Sequence, residues 1–454
     1  MAQPAGLAAV GGGVGAAVVT GVAVGVLLRL WQRRRRWQMA SKARWEEVPA
    51  PAAAVSVSPP AVHVAAPAAA EAAASAGRPR RGGITALIGG TPMIRIDSLS
   101  DATGCEIWAK AEFANPGGSS KDRVALQIVR DAEAAGRLAP GGWLVEGTSG
   151  STGVSLALIA AALGYRCCVV MPDDQAAEKG ALLARYGATV RTVKPVSIVH
   201  ADHYVNVARR TADAIAAGRG GEVGVETGAG GATAVFCDQF ETASNFKAHY
   251  TGTGPEVWAQ CGGAVDAFVS GAGTGGTLAG VAAYLKHAAA AREGGGRRVT
   301  AYLVDPPGSA LYNKVVAGVA YAPQQAERTL RRHRYDTIIE GVGIDRVTAN
   351  FAAALPHLDG AFRCTDAEAV EMSRYLMRND GIFVGSSSAM NAVGAVKAAR
   401  RLGAGHTIVT LLCDSGLRHL SRFWNADYIA AAGLTPTHTG ADLSFIGPDD
   451  GGEA

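Results

Sequence analysis

From about residue 84 onward, apolar residues follow two alternating spacings along the chain. Ile107, Ala109 and Ala111 lie at every second position and predict a strand, whereas the apolar positions of 124–132 recur at helical spacing. The same succession of strand, glycine-bearing loop and helix recurs at further strands predicted over 143–146, 166–171, 189–193, 267–270 and 407–412. This order is typical of an α/β fold with largely parallel sheets.

The first 47 residues follow a different pattern. Residues 6–28 carry no charge, and a helix of that length would reach about 35 Å, enough to cross a bilayer core. Arg29 and Arg33 to Arg36 come after the apolar run, so the order is opposite to that of a cleaved secretory signal. We therefore expect a single N-terminal transmembrane helix with a basic flank, with the remainder facing the cytosol.

An organellar transit peptide is the alternative for this segment, since it is poor in acidic residues and bears arginines. The mitochondrial outer membrane suits an anchor of moderate hydrophobicity, and this location is a hypothesis. Residues 48–82 are rich in Ala and Pro and predict a linker, and 434–454 predict a flexible tail.

Charge and cysteine content exclude some classes of protein. The net charge is +4, but residues 1–82 hold ten Lys/Arg against three Asp/Glu, which leaves 33 against 36 in the remainder. The slightly acidic remainder argues against nucleic-acid binding. The seven cysteines form no C-x-x-C pair, so we expect reduced, buried thiols. His200, Asp202 and His203 lack a further ligand at matching spacing, and we predict a polar helix start there, with no metal site.

The loop from Asn115 to Arg123 stands between the strand over 107–111 and the helix that follows. Pro116 and two glycines bend the chain, and Lys121 falls in the first helical turn, where the helix dipole disfavours a charged amine. A lysine with a lowered pKa can form an imine with a carbonyl cofactor. A solvated lysine on a capped helix is the alternative that this loop alone leaves open.

Two further loops enter helices with groups suited to anions. The loop from Gly147 to Gly153 presents several hydroxyls at a helix start and could bind a carboxylate. The loop from Gly271 to Thr277 follows a strand and combines glycines with threonines, as a phosphate site requires, but it lacks the Lys of a Walker loop.

These segments resemble one known family. The lysine loop is similar to that of the pyridoxal-phosphate-dependent cysteine synthase and cystathionine β-synthase family. Gly90 to Met93, the loops at 147–153 and 271–277, and Asp238 to Trp258 resemble its other motifs in the same order. Cys413-Asp-Ser-Gly, where the family usually has Pro first, is similar to the fungal and algal cysteine synthase 2 branch. Cys413 itself is interpreted as a small residue buried at a strand end.

The resemblance implies two α/β domains of fold type II, an N-terminal domain over 83–242 and a C-terminal domain over 243–433, and a homodimer. It also implies the roles of individual residues. Lys121 holds the cofactor, and the phosphate is bound by Gly273, Thr274, Gly275, Gly276 and Thr277. Ser387 hydrogen-bonds the pyridine nitrogen. The substrate carboxylate is bound by Thr148, Ser149, Thr152 and Gln239. Ser151 stands where the family usually has an Asn that contacts the ring hydroxyl.

A serine at the ring nitrogen makes a weaker electron sink than an aspartate would, which favours replacement at the β carbon over transamination. The activity that the resemblance implies is synthesis of L-cysteine from O-acetylserine and sulfide. A cystathionine β-synthase, serine dehydratase or cysteine desulfhydrase activity is the nearest alternative. A catalytically inactive, membrane-tethered scaffold is the alternative from another class of protein, suggested by Ser151 and the N-terminal segment.

Overall fold

The computed structural model describes residues 82–225, 232–292, 298–322, 337–437 and 442–448. Two sheets organise this part of the chain, one of six strands in the order β1-β2-β10-β7-β8-β9 and one of four in the order β5-β4-β3-β6. The strands are β1 (Met93–Arg95), β2 (Glu106–Ala111), β3 (Trp143–Gly147), β4 (Arg166–Pro172), β5 (Thr189–Val193), β6 (Ala234–Phe236), β7 (Ala267–Gly271), β8 (Thr300–Asp305), β9 (Gly360–Arg363) and β10 (Thr407–Leu412).

Helices cover the sheets and connect their strands. They are α1 (Asp97–Thr103), α2 (Lys121–Ala134), α3 (Ser151–Leu163), α4 (Ala177–Arg185), α5 (Tyr204–Ala216), α6 (Ala243–Ala248), α7 (Gly254–Gln260), α8 (Gly276–Ala290), α9 (Leu311–Ala317), α10 (Ala349–Ala354), α11 (Asp366–Asp380), α12 (Ser386–Leu402) and α13 (Ala426–Ala431). Local signals set several ends: a capping box between Thr365 and Glu368 starts α11, and Gly164 at φ 78° ends α3.

Both sheets are parallel except at one edge, where β1 runs antiparallel to β2. Strand β10 lies in the interior of the larger sheet, pairing with β2 from Thr407↔Glu106 to Leu412↔Ala111 and with β7 at Ile408↔Ala267 and Val409↔Phe268. Helices on both faces leave the central strands buried, which explains why they read as continuous apolar runs. The predicted α/β architecture with largely parallel sheets is therefore present.

One part of the predicted fold class is wrong. Across the described ranges, no helix has the length and apolar character needed to span a membrane. The longest of them, α12, has 17 residues and carries Arg400 and Arg401 in its last turn. The segment to which the prediction assigned a transmembrane helix, 6–28, lies outside the described residues, as do the linker and basic flank through residue 81.

Two further expectations differ from the structure or stay open. Residues 442–448 do not form the loose tail expected of 434–454, because Leu443 and Ile446 are buried and Arg400 donates hydrogen bonds to both of their carbonyls at 2.9 Å. The domain boundary at residue 242 stays a prediction. The first two strands nevertheless pair within the larger sheet, whose other strands all lie beyond that boundary.

Candidate active site

Four loops that follow parallel strands meet at one cavity. Three of these loops connect β2 to α2, β3 to α3 and β7 to α8, and the fourth follows the end of β10. The cavity that they line has a volume of about 340 Å³. Ligands of α/β proteins commonly bind outside the carboxyl ends of parallel strands. The cavity brings together all but one of the residues predicted from the sequence: Lys121, Thr148, Ser149, Ser151, Thr152, Gln239, Gly273, Thr274, Gly275, Thr277 and Ser387. Gly276 does not line the cavity.

Lys121 is the first residue of α2, and its side chain, half-buried, reaches into this cavity. Its backbone N–H donates to the Ser119 hydroxyl at 3.3 Å. Removal of the amine from water lowers the pKa of Lys121 below its usual value, although the neighbouring Cys413 and Asp414 oppose this shift. A larger fraction of the amine is therefore neutral, and nucleophilic, than in a solvated lysine.

Cys413 lines the same cavity and is only partly buried, in contrast to the buried position expected of it. The Asn391 amide donates to its Sγ at 3.4 Å, and burial raises the pKa of this thiol to about 11. The thiol is thus protonated at neutral pH. The lysine loop is joined to this strand end, because the Ser120 N–H donates to the Cys413 carbonyl at 3.1 Å.

A buried ionic network supports the start of α2. Arg123 donates to Glu112 and to Glu256, with Nε 2.7 Å from Glu112 and NH1 2.7 Å from Glu256, and the buried amine of Lys110 lies 2.7 Å from Glu256. Burial alone would raise the pKa of Glu256, but Arg123 and Lys110 lower it to about 2. Sequence reasoning missed this network, whose only local signal is the arginine two residues after Lys121.

The phosphate loop, residues 273–277, is shaped by close backbone contacts. A Cβ on Gly275, which has φ +88°, would lie 2.5 Å from the Phe351 Cα, and one on Gly273 would overlap the Gly341 carbonyl. A Cβ on Gly276 would overlap the side-chain oxygen of Asn245. These glycines therefore allow an approach that no larger residue permits.

Asn245 and His249 hydrogen-bond with the hydroxyls of Thr274 and Thr277 and orient them. The Asn245 Nδ2 donates to Thr274 Oγ1 at 2.8 Å, so the Thr274 proton can be donated into the cavity. His249 contacts Thr277 Oγ1 through Nε2 at 3.0 Å and Thr253 through Nδ1 at 2.9 Å. Burial lowers the pKa of His249 to about 3, so the ring is neutral. Donor hydroxyls at the start of α8 fit a phosphate group.

The substrate loop, residues 148–152, is held to the end of β3 and to Gln239. The Gly150 N–H donates to Thr148 Oγ1 at 3.2 Å, and the Thr152 hydroxyl donates to the side-chain oxygen of Gln239. Gly150 has φ 142° and packs on the stem of Lys179, where a Cβ would overlap. Thr148 and Thr152 are buried, whereas Ser149 and Ser151 are half-buried at the cavity surface.

Ser387 lies in the first turn of α12 and is 8% exposed. Its hydroxyl hydrogen-bonds with Cys413, a contact that lowers the pKa of the thiol against the larger effect of burial. Ser387 and Lys121 therefore both adjoin the same thiol, at the carboxyl end of β10. A cofactor linked to Lys121 would have Ser387 within the same cavity.

A charged wall that sequence reasoning did not predict closes one side of the cavity. The Lys179 amine pairs with Glu340, whose other oxygen lies 3.6 Å from Arg422, and His419 Nε2 lies 3.0 Å from Asp414. The wall joins α4 of the smaller sheet to loops of the larger one. Its members are distant in sequence, and of them only Asp414 stands in a segment that the sequence singled out, the one beginning at Cys413.

The predicted polar helix start at residues 200–203 is confirmed. His203 Nδ1 accepts a hydrogen bond from the Val205 N–H and caps α5, and His200 and Asp202 are exposed. Over the ranges that the structure describes, no group of three or more His, Cys, Asp or Glu side chains could hold a metal ion.

A lysine of lowered pKa lies between the loops predicted to bind a phosphate and a carboxylate, an arrangement that fits an enzyme with a phosphorylated carbonyl cofactor. Residues 84–414 match the family described as pyridoxal-phosphate dependent enzymes, and the chain belongs to this family. The residues around the cavity fit that cofactor, since the glycines of the phosphate loop admit it and the threonine hydroxyls can donate to it.

Within this family, the chain is similar to several proteins named as cysteine synthases. The chain is 53% identical to "Cysteine synthase 2" of Emericella nidulans, over 75% of this chain and 79% of that protein. It is 48% identical to the "Putative mitochondrial cysteine synthase" of Saccharomyces cerevisiae, over 76% and 84%. Among solved structures, O-ureido-L-serine synthase superposes with a TM-score of 0.62 at 29% identity, covering 76% of this chain and 95% of that one.

Proposed function

We propose that this chain is a pyridoxal-phosphate-dependent cysteine synthase, which converts O-acetyl-L-serine and sulfide to L-cysteine and acetate. The observation that carries the proposal is the position of Lys121, whose pKa is lowered by burial, in one cavity with the phosphate loop and the substrate loop. The cysteine synthases among its relatives, at 48–53% identity, support the same activity.

The residues around the cofactor site take separate roles in this proposal. The backbone N–H groups of residues 273–277 and the hydroxyls of Thr274 and Thr277 bind the cofactor phosphate. Ser387 faces the pyridine nitrogen, and Ser151 faces the ring hydroxyl. When bound, pyridoxal phosphate supplies an electron sink that acidifies the α C–H bond of the substrate and weakens its β C–O bond.

Lys121 performs two tasks. Its amine would hold the cofactor through the aldehyde group, and when the substrate amine takes that place the freed amine can accept the α proton. Acetate leaves with the electron pair of the β C–O bond, the hydrosulfide ion forms the new C–S bond at the same carbon, and the Lys121 ammonium returns its proton to the α carbon. Asp414 and Cys413 lie beside the amine, and the carboxylate of Asp414 stabilises the ammonium form that the lysine then takes.

The substrate loop binds the carboxylate of O-acetylserine through the hydroxyls of Thr148, Ser149 and Thr152, with Gln239 behind them. The hydrogen bond that the Thr152 hydroxyl donates to Gln239 holds this residue at the cavity before the substrate arrives, and the hydroxyl proton turns to the carboxylate when the substrate binds. The charged wall of Lys179, Glu340 and Arg422 stands at the side of the cavity and excludes bulk water from the reacting carbon.

A panel of substrates tests the proposal. Purified full-length protein, loaded with cofactor, is assayed with O-acetylserine, O-phosphoserine and serine, each against sulfide and against homocysteine. We expect cysteine from O-acetylserine and sulfide at the highest kcat/KM. Turnover of serine with homocysteine, without turnover of O-acetylserine, would instead establish a cystathionine β-synthase activity. Cofactor binding without turnover of any pair would favour the scaffold.

We also propose a mitochondrial location and a homodimer. The name of the yeast relative and the excess of arginines over acidic residues in 1–82 support the location. A fluorescent protein fused to residues 1–82 should co-localise with a mitochondrial marker, and diffuse cytosolic fluorescence would contradict this. Sedimentation equilibrium of the purified protein should give twice the chain mass of 46.3 kDa, and a single chain mass would contradict the dimer.

A further inference from the structure

Glu146 is a buried carboxyl that none of the roles above uses. It is the penultimate residue of β3, directly before the substrate loop, and its side chain has no exposed surface. The Gln239 N–H donates to its Oε2 at 3.3 Å, while its Oε1 has no hydrogen-bond partner among the described residues. A fully buried charged oxygen without a partner would be costly.

The surroundings of Glu146 favour its neutral form. Burial raises the pKa of this carboxyl well above its usual value, and the negative charge of Asp238 raises it further, whereas hydrogen bonds from Gln239 and Gly147 oppose the shift. The titratable groups beside it are the thiols of Cys167 and Cys237, and burial raises the pKa of both. Burial and the charge of Asp238 therefore both favour the protonated form of this carboxyl.

Gln239 follows a strained turn. Asp238 has φ 49°, and of the non-glycine residues described it alone has a positive φ. Such a conformation is uncommon for residues other than glycine and is fixed here by neighbouring contacts. The Asp238 carbonyl accepts from the N–H groups of Glu241 and Thr242, and the next N–H, that of Gln239, is directed at Glu146.

The turn connects Glu146 to the substrate loop. The side-chain oxygen of Gln239 accepts from the Thr152 hydroxyl, and its Nε2 donates to the Gly147 carbonyl at 3.4 Å. Glu146 thus contacts the backbone of Gln239, and the side chain of Gln239 contacts both ends of the loop.

We propose that Glu146 is a positioning residue for the substrate loop, acting through Gln239 to hold Thr152 in place beside the binding site of a substrate carboxylate. The proposal rests on the proposed function only for the identity of the amino acid that supplies this carboxylate. Glu146 touches neither substrate nor cofactor in this role.

Two substitutions of nearly equal size separate a hydrogen-bonding role from a packing role. Glu146→Gln keeps an acceptor oxygen in the shape of the protonated carboxyl, whereas Glu146→Met fills the same space without one. Hydrogen exchange of the peptide covering 147–153 is measured first, because it needs no turnover. We expect exchange roughly tenfold faster in Glu146→Met, as the loss of one hydrogen bond implies, and wild-type exchange in Glu146→Gln.

Steady-state kinetics provide the second readout. In Glu146→Met the KM for O-acetylserine should rise roughly tenfold with a smaller change in kcat, and Glu146→Gln should restore the wild-type KM within about twofold. The proposal would be overturned if Glu146→Met had the exchange rate and KM of the wild type. It would also be overturned if Glu146→Gln were as impaired as Glu146→Met. If the wild type does not turn over O-acetylserine, the proposed function fails, but the exchange comparison still decides the role of Glu146.

Discussion

Arg123 and Glu256 form a bidentate ion pair in which NH1 donates to Oε1 and NH2 to Oε2, both at 2.7 Å. The pair joins the helix that begins with Lys121 to helix α7, more than 130 residues further along the chain. Because Arg123 also donates to the buried Glu112, one guanidinium bridges two carboxylates behind the lysine loop, and Lys110 supplies the second positive charge.

Replacement of Arg123 should therefore be strongly destabilising. Arg123→Ala leaves Glu112 buried without its partner, and we expect the free energy of unfolding to fall by about 3–5 kcal/mol, measured by urea denaturation. Arg95→Ala, which removes exposed ion pairs to Asp97 and Glu106, is the control and should change stability little. A loss no larger than that of the control would contradict the structural importance of this network.

The neutral His249 predicts a pH dependence of stability. Burial, with smaller effects from Lys121 and Arg123, lowers its pKa from 6.5 to about 3 in the folded protein. Between those values the unfolded chain binds a proton that the folded protein does not, so the stability contributed by His249 is complete above pH 6.5 and is lost as the pH falls towards 3.

The contribution of His249 to the free energy of unfolding, measured from pH 7.5 to 4 as the difference between the wild type and His249→Gln, should decrease below pH 6.5 with a slope approaching about 1.4 kcal/mol per pH unit. His249→Gln, which keeps a group able to reach Thr277, should remove that slope while retaining cofactor binding. The carboxylates of Glu256 and Asp414, whose pKa values are both lowered to about 2, lose their contributions at lower pH. An unchanged slope in His249→Gln would refute the assignment.

Lys121→Ala should abolish the covalent attachment of the cofactor. After borohydride reduction, mass spectrometry should find the adduct at Lys121 in the wild type and no adduct in the variant, and kcat should fall more than about a thousandfold. Lys247→Ala, at an exposed lysine paired with Asp131, serves as the control and should keep the adduct. An adduct at another lysine of the wild type would overturn the assignment of the catalytic residue.

Gly275→Ala should weaken cofactor binding. The new Cβ would lie 2.5 Å from the Phe351 Cα, so the phosphate loop must move. Gly262→Ala is the matched control, because Gly262 also has a positive φ, +57°, but no atom lies within 4 Å of its added Cβ. We expect the dissociation constant for pyridoxal phosphate, from equilibrium dialysis, to rise at least about tenfold in Gly275→Ala only. Equal effects in the two variants would assign the loss to backbone strain alone.

The sequence allowed prediction of those parts of the site whose characteristic residues lie close together along the chain. Lys121, the phosphate loop and the substrate loop each lie at a strand-to-helix turn, where glycines and hydroxyls a few residues apart carry the signal. The pairing of Glu256 with Arg123 and that of Lys179 with Glu340 could not be predicted, because nothing local relates residues 133 and 161 positions apart. The pairing of β2 with β10 could not be predicted for the same reason.

Cys413 and residues 442–448 show a second limit. Composition favoured a buried thiol and a loose tail, yet the thiol lines a cavity that exists only after the lysine loop has packed against β10. Leu443 and Ile446 are buried in a hydrophobic core cluster together with residues of α11 and α12, and Arg400, on α12, donates to their carbonyls. In both cases tertiary contacts decided the exposure of the side chain.

The central position of β10 affects how the protein can be made. Of the strands in the described ranges, this one is the last to leave the ribosome, yet β2 and β7, which flank it, are synthesised about 300 and 140 residues earlier. Until residues 407–412 emerge, both strands wait with unpaired backbone edges, a state that invites aggregation. The larger sheet must therefore assemble near the end of translation, and chaperones that shield nascent strands should raise the yield of active enzyme.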